Sequence, residues 1–413
     1  MAPDCRLTDQ ISIGVLAYAV PRDAVENAIT RTGRQARRSN GKLPPHVVVY
    51  LVMAMALFTD ASYEEVASKL LDALAVRRRG PAALPTSGGI TQARQRLGSE
   101  PLELLFREVA RPVATSATRG SFVRDWRLMT VDGFELEVPG TEANSASFKG
   151  PADGDEPALP RVRMLTIAER GSGAKVAARI GLERRETGWQ SLAHSLCQRL
   201  DPGWLVIANQ DLWSWPAWRA ACATGAALLW RTASDLRLPV LWPLPDGSYI
   251  SVLVDPAIRS AAQTQIMRIA RAGGNLDAAR AALVRVIEYE LPGSARELND
   301  ELIALVTTIT NPFEASATEL AQAYQQWLDD QAAQRLRGAS FLGPATALRS
   351  RSPEMIRQEI YGCLLTSYAL SAMNYAAAAA ARIEPDQGVS TQVRIVRRPV
   401  TGLAEHDRAD GRQ

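Results

Sequence analysis

The sequence predicts an α/β protein in which a mixed sheet is flanked by helices and follows an all-helical N-terminal domain. Apolar residues recur at helical spacing through the first 110 residues, whereas short apolar runs and period-two alternation begin at Trp126. Strand patterns dominate again after residue 236. We therefore expect a helical domain at residues 1–120, an α/β core at residues 121–235 and 310–384, a β-rich insertion at residues 236–309, and a basic to polar tail at residues 385–413.

The composition permits a large globular protein but does not identify a partner. Of 413 residues, 46% are hydrophobic and 22% are charged, which is enough to bury a large core in two or three globular units. Lys and Arg number 47 against 44 Asp and Glu, so the formal net charge is only +3. Nucleic-acid binding therefore has to come from local basic patches rather than from the total charge.

Cysteine and histidine residues are scattered along the chain, without the spacing of a zinc site. They are Cys5, Cys197, Cys222, Cys363, His46, His194 and His406. The first residues lack the basic-then-apolar pattern of a signal peptide, and the longest strongly apolar run, residues 47–58, is too short to span a bilayer. We expect a reduced, cytoplasmic protein without a membrane partner.

The helical domain contains one element that suits a DNA groove. An apolar helix over residues 47–58 and a capped helix that begins at Tyr63 precede a connection rich in Gly and Pro. The next helix, over residues 90–97, is predicted to expose Gln92, Arg94, Gln95 and Arg96. A helix dense in Arg and Gln after a glycine turn is typical of major-groove recognition, and also of an ordinary solvated face.

The core begins with strands that carry polar residues at their ends. Residues 127–132 form a predicted strand that ends in Asp132, and residues 134–139 alternate as its hairpin partner. Two more strands, a crossover helix and a buried strand are predicted at residues 163–168, 174–182, 191–200 and 204–208. A helix over residues 211–225 and a strand over residues 228–231 complete this part.

The insertion and the C-terminal part continue the mixed pattern. An Asp-Gly hairpin turn is predicted at residues 244–249. It is followed by predicted strands at residues 284–291 and 302–309 and by predicted helices at residues 316–337 and 355–381. The tail carries Arg394, Arg397 and Arg398, which fit either contact with phosphates or a solvated chain end.

Three acidic positions would turn this arrangement into a metal site. Two Mg²⁺ ions for phosphodiester chemistry can be held by three carboxylates. The first lies at the end of the first strand, the second at the end of a later buried strand, and the third on a helix after a long insertion. That arrangement is the RNase H-like plan. Asp132 fills the first position, and the third falls on the helix around Tyr324.

Short motifs occur in order along nearly the whole chain. They are LTDQI (7–11), PHVVVY (45–50), YEEV (63–66), ITQARQRLG (90–98), TVDG (130–133), LLWR (228–231), DGSY (246–249), VRVIEY (284–289) and LRSRSPE (348–354). In this order they resemble the DDE transposases of the insertion sequence 4 family, especially the actinobacterial kind. The resemblance implies an RNase H-like core, a DNA partner, and strand cleavage and transfer with two Mg²⁺ ions.

The chain departs from that family at the acidic positions. The family's second carboxylate ends a strand with the pattern A-D-R-G-F, and Asn209 stands in the place of that aspartate. The third lies in a helical signature of Tyr, two residues, Arg, three residues, Glu, six residues and Lys. Counting from Tyr324 without a gap puts Gln331 at the acid position, whereas a one-residue gap at Trp327 puts Asp330 there. The signature's Arg and Lys are absent.

Asparagine keeps the shape of aspartate but lacks the negative charge that offsets two hard cations, so Asp132 with Asp330 is expected to bind metal weakly. A relocated triad is the alternative, because Asp211 lies two residues after Asn209 and returns to the same face if the strand extends. It would act with Asp132 and with Asp329 or Asp330. A helix cap at Asp211 and surface charges at the other two are the simpler interpretation.

Tryptophan residues gather around the second buried strand, at Trp204, Trp213, Trp215, Trp218 and Trp230. We expect most of them to anchor the core. Trp213 follows the strand end and is the one candidate for stacking on a flipped base.

These observations favour a DNA-binding protein that derives from a transposase, has lost cleavage and strand transfer, and needs no metal. It would bind terminal inverted repeats or related sites through the N-terminal helices and a basic channel with Arg94, Arg96 and Arg231, beside Tyr324. An active enzyme with two Mg²⁺ ions on relocated carboxylates is the alternative, and a protein scaffold that binds no DNA is a third. Family resemblance suggests a homodimer on DNA, and a nucleoid-associated location in the cytoplasm goes with DNA binding.

Overall fold

The protein is described from a computed structural model that covers residues 14–36, 43–73, 85–148, 159–181, 188–232, 236, 238–291, 302–336, 347–381 and 393–398. Compactness divides the chain into two units. Unit 1 consists of Met1–Ser121, Thr130–Leu196 and Ala332–Asp386, and unit 2 consists of Phe122–Met129, Cys197–Gln331 and Gln387–Gln413. Both units combine helices with strands, so the predicted α/β class is confirmed.

The helices largely follow the predicted segments. In chain order they are α1 (Gly14–Ala19), α2 (Arg22–Arg31), α3 (Pro45–Leu57), α4 (Tyr63–Ala73), α5 (Ser87–Leu97), α6 (Glu100–Val109), α7 (Glu142–Ser147), α8 (Trp189–Cys197), α9 (Trp215–Cys222), α10 (Ser260–Arg271), α11 (Ala317–Leu336) and α12 (Pro353–Ala381). The start of α4 is a capping box, because Ser62 N donates to Glu65 Oε2 at 2.7 Å and Glu65 N donates to Ser62 Oγ at 3.3 Å. Helix α10 lies in the predicted β-rich insertion and was not expected.

The strands also lie close to the predicted segments. In chain order they are β1 (Phe122–Val123), β2 (Trp126–Glu137), β3 (Arg161–Glu169), β4 (Lys175–Ile180), β5 (Trp204–Ala208), β6 (Ala227–Arg231), β7 (Trp242–Pro243), β8 (Tyr249–Val254), β9 (Ala281–Glu290), β10 (Ile303–Thr307) and β11 (Arg394–Ile395).

Strand β2 corrects one prediction, because it continues through residue 133 without a turn. The hairpin expected between residues 127–132 and 134–139 is therefore wrong. In unit 1 the strand order is β4-β3-β2. Side chains across β2 and β3 account for the continuation, since Arg163 Nε contacts Glu135 Oε1 at 2.7 Å and Arg161 contacts Glu137 at 3.0 Å.

The core of unit 1 unites the N-terminal helices with the C-terminal helix. Helix α3 is buried nearly all round, as its sequence predicts, and it packs against α12. Gly362 makes this contact close, because a Cβ there would lie 2.6 Å from Val52 Cγ1 and 3.0 Å from the Val52 carbonyl oxygen. Thr366 Oγ1 also donates to the carbonyl of Met53 at 2.8 Å. The helical segment at the N-terminus therefore shares one core with α12.

Unit 2 contains the mixed sheet. Its order starts with the first part of β2 and continues β5-β6-β10-β9-β8-β7. Strands β5 and β6 are parallel, whereas β6-β10, β10-β9, β9-β8 and β8-β7 are antiparallel. Helix α11 covers this sheet with Leu320, Tyr324 and Trp327, which pack in one cluster with residues of β5, β6, β9 and β10.

Part of the predicted tail belongs to unit 2. Strand β11 pairs with β9, and Arg398 Nε contacts Glu288 Oε2 at 2.5 Å. Arg397 donates to the carbonyl of Pro245 at 3.4 Å. Arg397 and Arg398 are exposed, as expected for a solvated end, and each also contacts the insertion.

Candidate functional site

The first acidic position, Asp132, lies on β2 in unit 1. Its side chain is half-buried, and Thr130 Oγ1 donates to Asp132 Oδ2 at 2.9 Å. The next residue, Gly133, lies against the ring of Trp189, with 3.1 Å from a Cβ built there to the nearest ring carbon. The carboxylate is therefore held by a neighbouring side chain on its own strand, and the chain behind it is closely packed.

Lys175, the first residue of β4, lies within electrostatic range of this carboxylate and was not predicted from the sequence. Burial lowers the pKa of the Lys175 ammonium, and the Asp132 charge acts in the opposite direction. The Lys175 Nζ lies 5.9 Å from the centre of the Phe134 ring and 3.4 Å from Ser367 Oγ on α12. A half-buried lysine at the start of a largely apolar strand was the signal available, since lysine is usually exposed.

The second acidic position lies at the end of β5 in unit 2. Asn209 Oδ1 accepts from the backbone N–H of Gln210 at 2.8 Å and caps the 3₁₀ turn Gln210–Leu212. Its Nδ2 donates to Asp211 Oδ2 at 3.4 Å, and Asp211 is exposed. The amide oxygen that could approach a cation is therefore already an acceptor for the backbone.

Asp211 does not cap a helix, which corrects the sequence interpretation. The helix predicted over residues 211–225 is divided into the 3₁₀ turn and α9, and the cap of α9 is Ser214, whose Oγ accepts from Ala217 N at 3.2 Å. Residues 213 and 214 are extended between the two elements, and Pro216 suits the first turn of α9, where a backbone N–H would have no partner within the helix. The Asp211 carboxylate remains beside Asn209.

Tyr324, on α11, is fully buried rather than exposed to DNA. Burial raises the pKa of its hydroxyl, the Arg231 charge lowers it, and the Asp211 charge raises it. Within the described part of the chain the hydroxyl has no hydrogen-bond partner. Tyr324 also contacts Trp327 edge to face, with 5.3 Å between the ring centres. Unit 2 therefore brings Tyr324, Arg231 and Asp211 into electrostatic range of one another.

The third acidic position lies one turn further along α11. Asp329 Oδ1 accepts from Gln325 Nε2 at 2.8 Å, and Gln325 Oε1 accepts from Tyr289 Oη at 3.0 Å. Asp330 and Gln331 are half-buried. The expected description of Asp329 as a plain surface charge is therefore wrong, because its carboxylate ends a hydrogen-bonded chain that begins at the buried Tyr289.

These residues fit two Mg²⁺ ions poorly. Hard cations need several negatively charged oxygen ligands. Lys175 supplies a positive charge near Asp132, Asn209 is neutral, and Asp329 already accepts a hydrogen bond. In the described ranges no group of three or more His, Cys, Asp and Glu side chains is placed to hold a metal ion. Asp211 is an exposed carboxylate beside the second position, 3.4 Å from the Asn209 amide nitrogen.

Helix α5 presents a different surface from the one expected. Arg94 is 3% exposed, and its guanidinium donates to Gln358 Oε1, Tyr63 Oη and Ser350 Oγ, each at 2.9 Å. The prediction of an exposed Arg94 is therefore wrong. Beyond the first turn of this helix, four side chains are exposed and together form what we call the α5 stripe. The α5 stripe consists of Thr91, Gln92, Gln95 and Arg96.

The insertion contributes a buried ion pair that sequence reasoning also missed. Arg285, on β9, has a fully buried side chain that pairs with Asp246 and donates to Ser248 Oγ at 2.8 Å. Its guanidinium also donates to the carbonyl of Ala315 at 2.7 Å, and Asp246 Oδ2 accepts from Ala317 N, the first residue of α11, at 2.8 Å. The hairpin turn therefore holds the start of α11.

Trp213 belongs to a tryptophan cluster. Its ring centre lies 5.5 Å from that of Trp218 and 6.1 Å from that of Trp230. Trp218 and Trp230 are 1% exposed, whereas Trp213 is half-buried. Two of these tryptophans therefore anchor the core, and part of the Trp213 ring reaches the surface.

The chain is similar to known transposases in its N-terminal segment and over most of its length. Residues 10–107 match the family model described as insertion element 4 transposase N-terminal. The chain is also 23% identical over 353 residues to the Escherichia coli (strain K12) transposase InsG for insertion sequence element IS4, a match that covers 83% of this chain and 72% of that protein. Both matches support the similarity to IS4-family transposases that the motifs of the chain predicted.

A solved transposase structure also matches most of the chain. The piggyBac transposase synaptic complex with hairpin DNA matches 94% of this chain and 79% of that chain, with a TM-score of 0.42 and 10% identity. Among the helices in the described ranges, none combines the length and the apolar character needed to cross a membrane.

Proposed function

We propose that this chain is a DNA-binding protein of transposase descent that no longer cleaves or transfers DNA strands. The observation that carries the proposal is Asn209 at the end of β5, where the family has its second carboxylate. The Asn209 oxygen accepts from the backbone of the following turn, and its side chain brings no negative charge. Two divalent cations held close together need that charge, so the proposed protein binds them too weakly for cleavage.

The α5 stripe supports recognition of duplex DNA. Glutamine can bond two atoms of an adenine edge, and arginine can bond guanine or a phosphate. The helix begins at the exposed residues Ser87, Gly88 and Gly89, and nothing lies within 4 Å of a Cβ built at Gly88. Ser87 N donates to Glu64 Oε1 and Gly89 N donates to Thr86 Oγ1 at 3.2 Å, so the helix start offers space at Gly88 rather than a set of open anion-binding N–H groups. We propose terminal inverted repeats, or sites related to them, as the target.

DNA binding is tested by selection from a random duplex pool followed by titration. Gln92→Ala and Gln95→Ala should relax base preference, by about 1–3 kcal/mol for each bidentate contact that is lost. Arg96→Ala should weaken binding to all DNA sequences alike and lower the slope of log K against log salt concentration by about 1. Arg268→Ala, at an exposed position on α10, is the matched control and should change neither quantity. If the protein selects no DNA sequence and its binding to DNA does not depend on salt, the third hypothesis, a protein scaffold that binds no DNA, holds instead.

One observation favours an active enzyme as the second candidate. Asp211 is exposed, and its carboxylate lies 3.4 Å from the Asn209 amide nitrogen. It could therefore replace the missing acid and act with Asp132 and with Asp329 or Asp330 on two Mg²⁺ ions. The test is Mn²⁺- or Mg²⁺-dependent cleavage of the selected DNA by the wild-type chain and by Asp211→Ala. Cleavage that disappears in the variant would establish this candidate and overturn the first.

The remaining proposals follow from membership of the family. We propose an RNase H-like core over residues 121–235 and 310–384. We also propose a homodimer on DNA that holds two DNA ends together, and association with the nucleoid. Sedimentation with and without the selected duplex tests the dimer. A mass that stays that of one chain per duplex at saturating DNA would contradict it.

A further inference from the structure

Lys175 lies on the side of β2 that carries Asp132. Residues two apart on a strand share one face, so Asp132 and Phe134 project to the same side. The Lys175 amine lies 5.9 Å from the centre of the Phe134 ring and donates to Ser367 Oγ on α12 at 3.4 Å. It is therefore held between α12 and the face of the strands that carries the first acidic position.

The other face of β2 has its own cation. Arg163, on β3, contacts Glu135 at 2.7 Å, and its guanidinium lies 5.3 Å from the centre of the Trp189 ring. Trp189 in turn packs against Gly133. Residues 133 and 135 alternate with Asp132 along the strand, so this ion pair belongs to the opposite side. Lys175 is therefore the cation that the fold brings to the Asp132 side from β4.

Electrostatics support a pairing between the two groups. Burial lowers the pKa of Lys175, and Asp132 is the charge that raises it. On the carboxylate side, Thr130 Oγ1 donates to Asp132 Oδ2 at 2.9 Å. A hydroxyl donor thus contacts Asp132 and the Lys175 charge acts on it, whereas a divalent cation would require further negative oxygen ligands there.

We propose that Lys175 is the resident cation of Asp132 and closes the family's first acidic position to a divalent metal ion. A metal ion at Asp132 would be repelled by the ammonium, because two positive charges would share one carboxylate. The inference goes beyond the proposed function, since it concerns unit 1 alone and does not depend on DNA recognition by α5. Removal of the Lys175 charge should leave Asp132 able to bind a metal ion.

The experiment is a titration of the full chain with Mn²⁺, followed by electron paramagnetic resonance near neutral pH. Lys175→Met should bind Mn²⁺ roughly tenfold more tightly than the wild type. Lys69→Met is the matched control, because Lys69 Nζ also lies over a ring in unit 1, 4.3 Å from the centre of Phe58. It should leave Mn²⁺ affinity unchanged, and Asp132→Asn added to Lys175→Met should abolish the gain.

A stability cycle keeps the proposal testable if Lys175→Met folds poorly. Asp132→Asn should lower the melting temperature in the wild type, and less so in a Lys175→Gln background, because the two charges then no longer interact. Additive effects of the two substitutions would overturn the proposal. So would unchanged Mn²⁺ affinity in folded Lys175→Met, or tight Mn²⁺ binding by the wild type that is lost in Asp132→Asn.

Discussion

Arg94 is expected to stabilise unit 1 rather than to bind DNA, and Arg94→Met measures the difference. The guanidinium donates to Gln358, Tyr63 and Ser350 at 2.9 Å each, and Arg94, Gln358 and Ser350 are buried. Methionine keeps the apolar stem but leaves the Gln358 oxygen without its donor and removes one donor from Ser350. A buried polar group that loses its partner costs about 1–3 kcal/mol, so we expect a total loss of about 3 kcal/mol.

The assay is thermal unfolding combined with DNA titration. In a domain of about 150–250 residues each kcal/mol shifts the melting temperature by roughly 2–4 °C, so Arg94→Met should lower it by roughly 6–12 °C. Arg96→Met is the matched control two residues along α5. Because Arg96 is exposed, its replacement should change stability by no more than about 0.5 kcal/mol while weakening DNA binding.

The two variants separate the structural role from the recognition role. Arg94→Met at temperatures well below its melting point should still bind the selected duplex with nearly wild-type affinity. Weaker DNA binding by Arg94→Met, together with an unchanged melting temperature, would refute the reasoning, because it would mean that the guanidinium contacts DNA and contributes nothing to the core.

Three further predictions concern unit 2. Asp246→Asn leaves the Arg285 guanidinium buried without its ion pair and should cost about 3–5 kcal/mol in urea unfolding. Burial raises the pKa of Asp246, but hydrogen bonds from Ser248 and a backbone N–H and the Arg285 charge lower it below its usual value. The stability that the ionised carboxylate contributes should therefore be complete above about pH 4 and should disappear as the pH falls through the lowered pKa. Thermal melts from neutral to acidic pH should show this loss in the wild type and not in Asp246→Asn. Gly247→Ala should cost about 1–3 kcal/mol, because φ is 92° and side chains lie 3.1 Å from the new methyl group; a melting temperature equal to wild type would contradict this. Trp218→Ala should cost about 3–5 kcal/mol by leaving a cavity, whereas full stability would mean that the cluster contributes only surface.

Sequence periodicity was sufficient where burial decides the structure of a segment. Apolar spacing located α3, β5 and β6, because these elements bury most of their side chains. The hairpin predicted after Asp132 failed for a different reason. An Asp-Gly pair is a strong local turn signal, but at residue 133 the strand continues beside β3, and partners about 28 residues away along the chain decide the outcome.

Residues of the candidate site were harder to predict, because their partners are distant in sequence. The helical pattern predicts that Arg94 is exposed. Its side chain is buried instead because it donates to Ser350 and Gln358, which lie more than 250 residues further along the chain. Lys175 reads as a strand end, and only the register of β4, β3 and β2 brings it to the Asp132 side. Local periodicity carries no information about such contacts.

The turn after β5 does not by itself require asparagine at residue 209. Aspartate caps a turn as well as asparagine does, so an acid at this position could make the same hydrogen bond to Gln210 N. The physical difference between the two residues is one negative charge. In unit 1 the remaining acid, Asp132, already has a cation in Lys175. Asn209→Asp alone should therefore leave the ammonium beside Asp132 unchanged, and metal binding at Asp132 should follow the removal of the Lys175 charge.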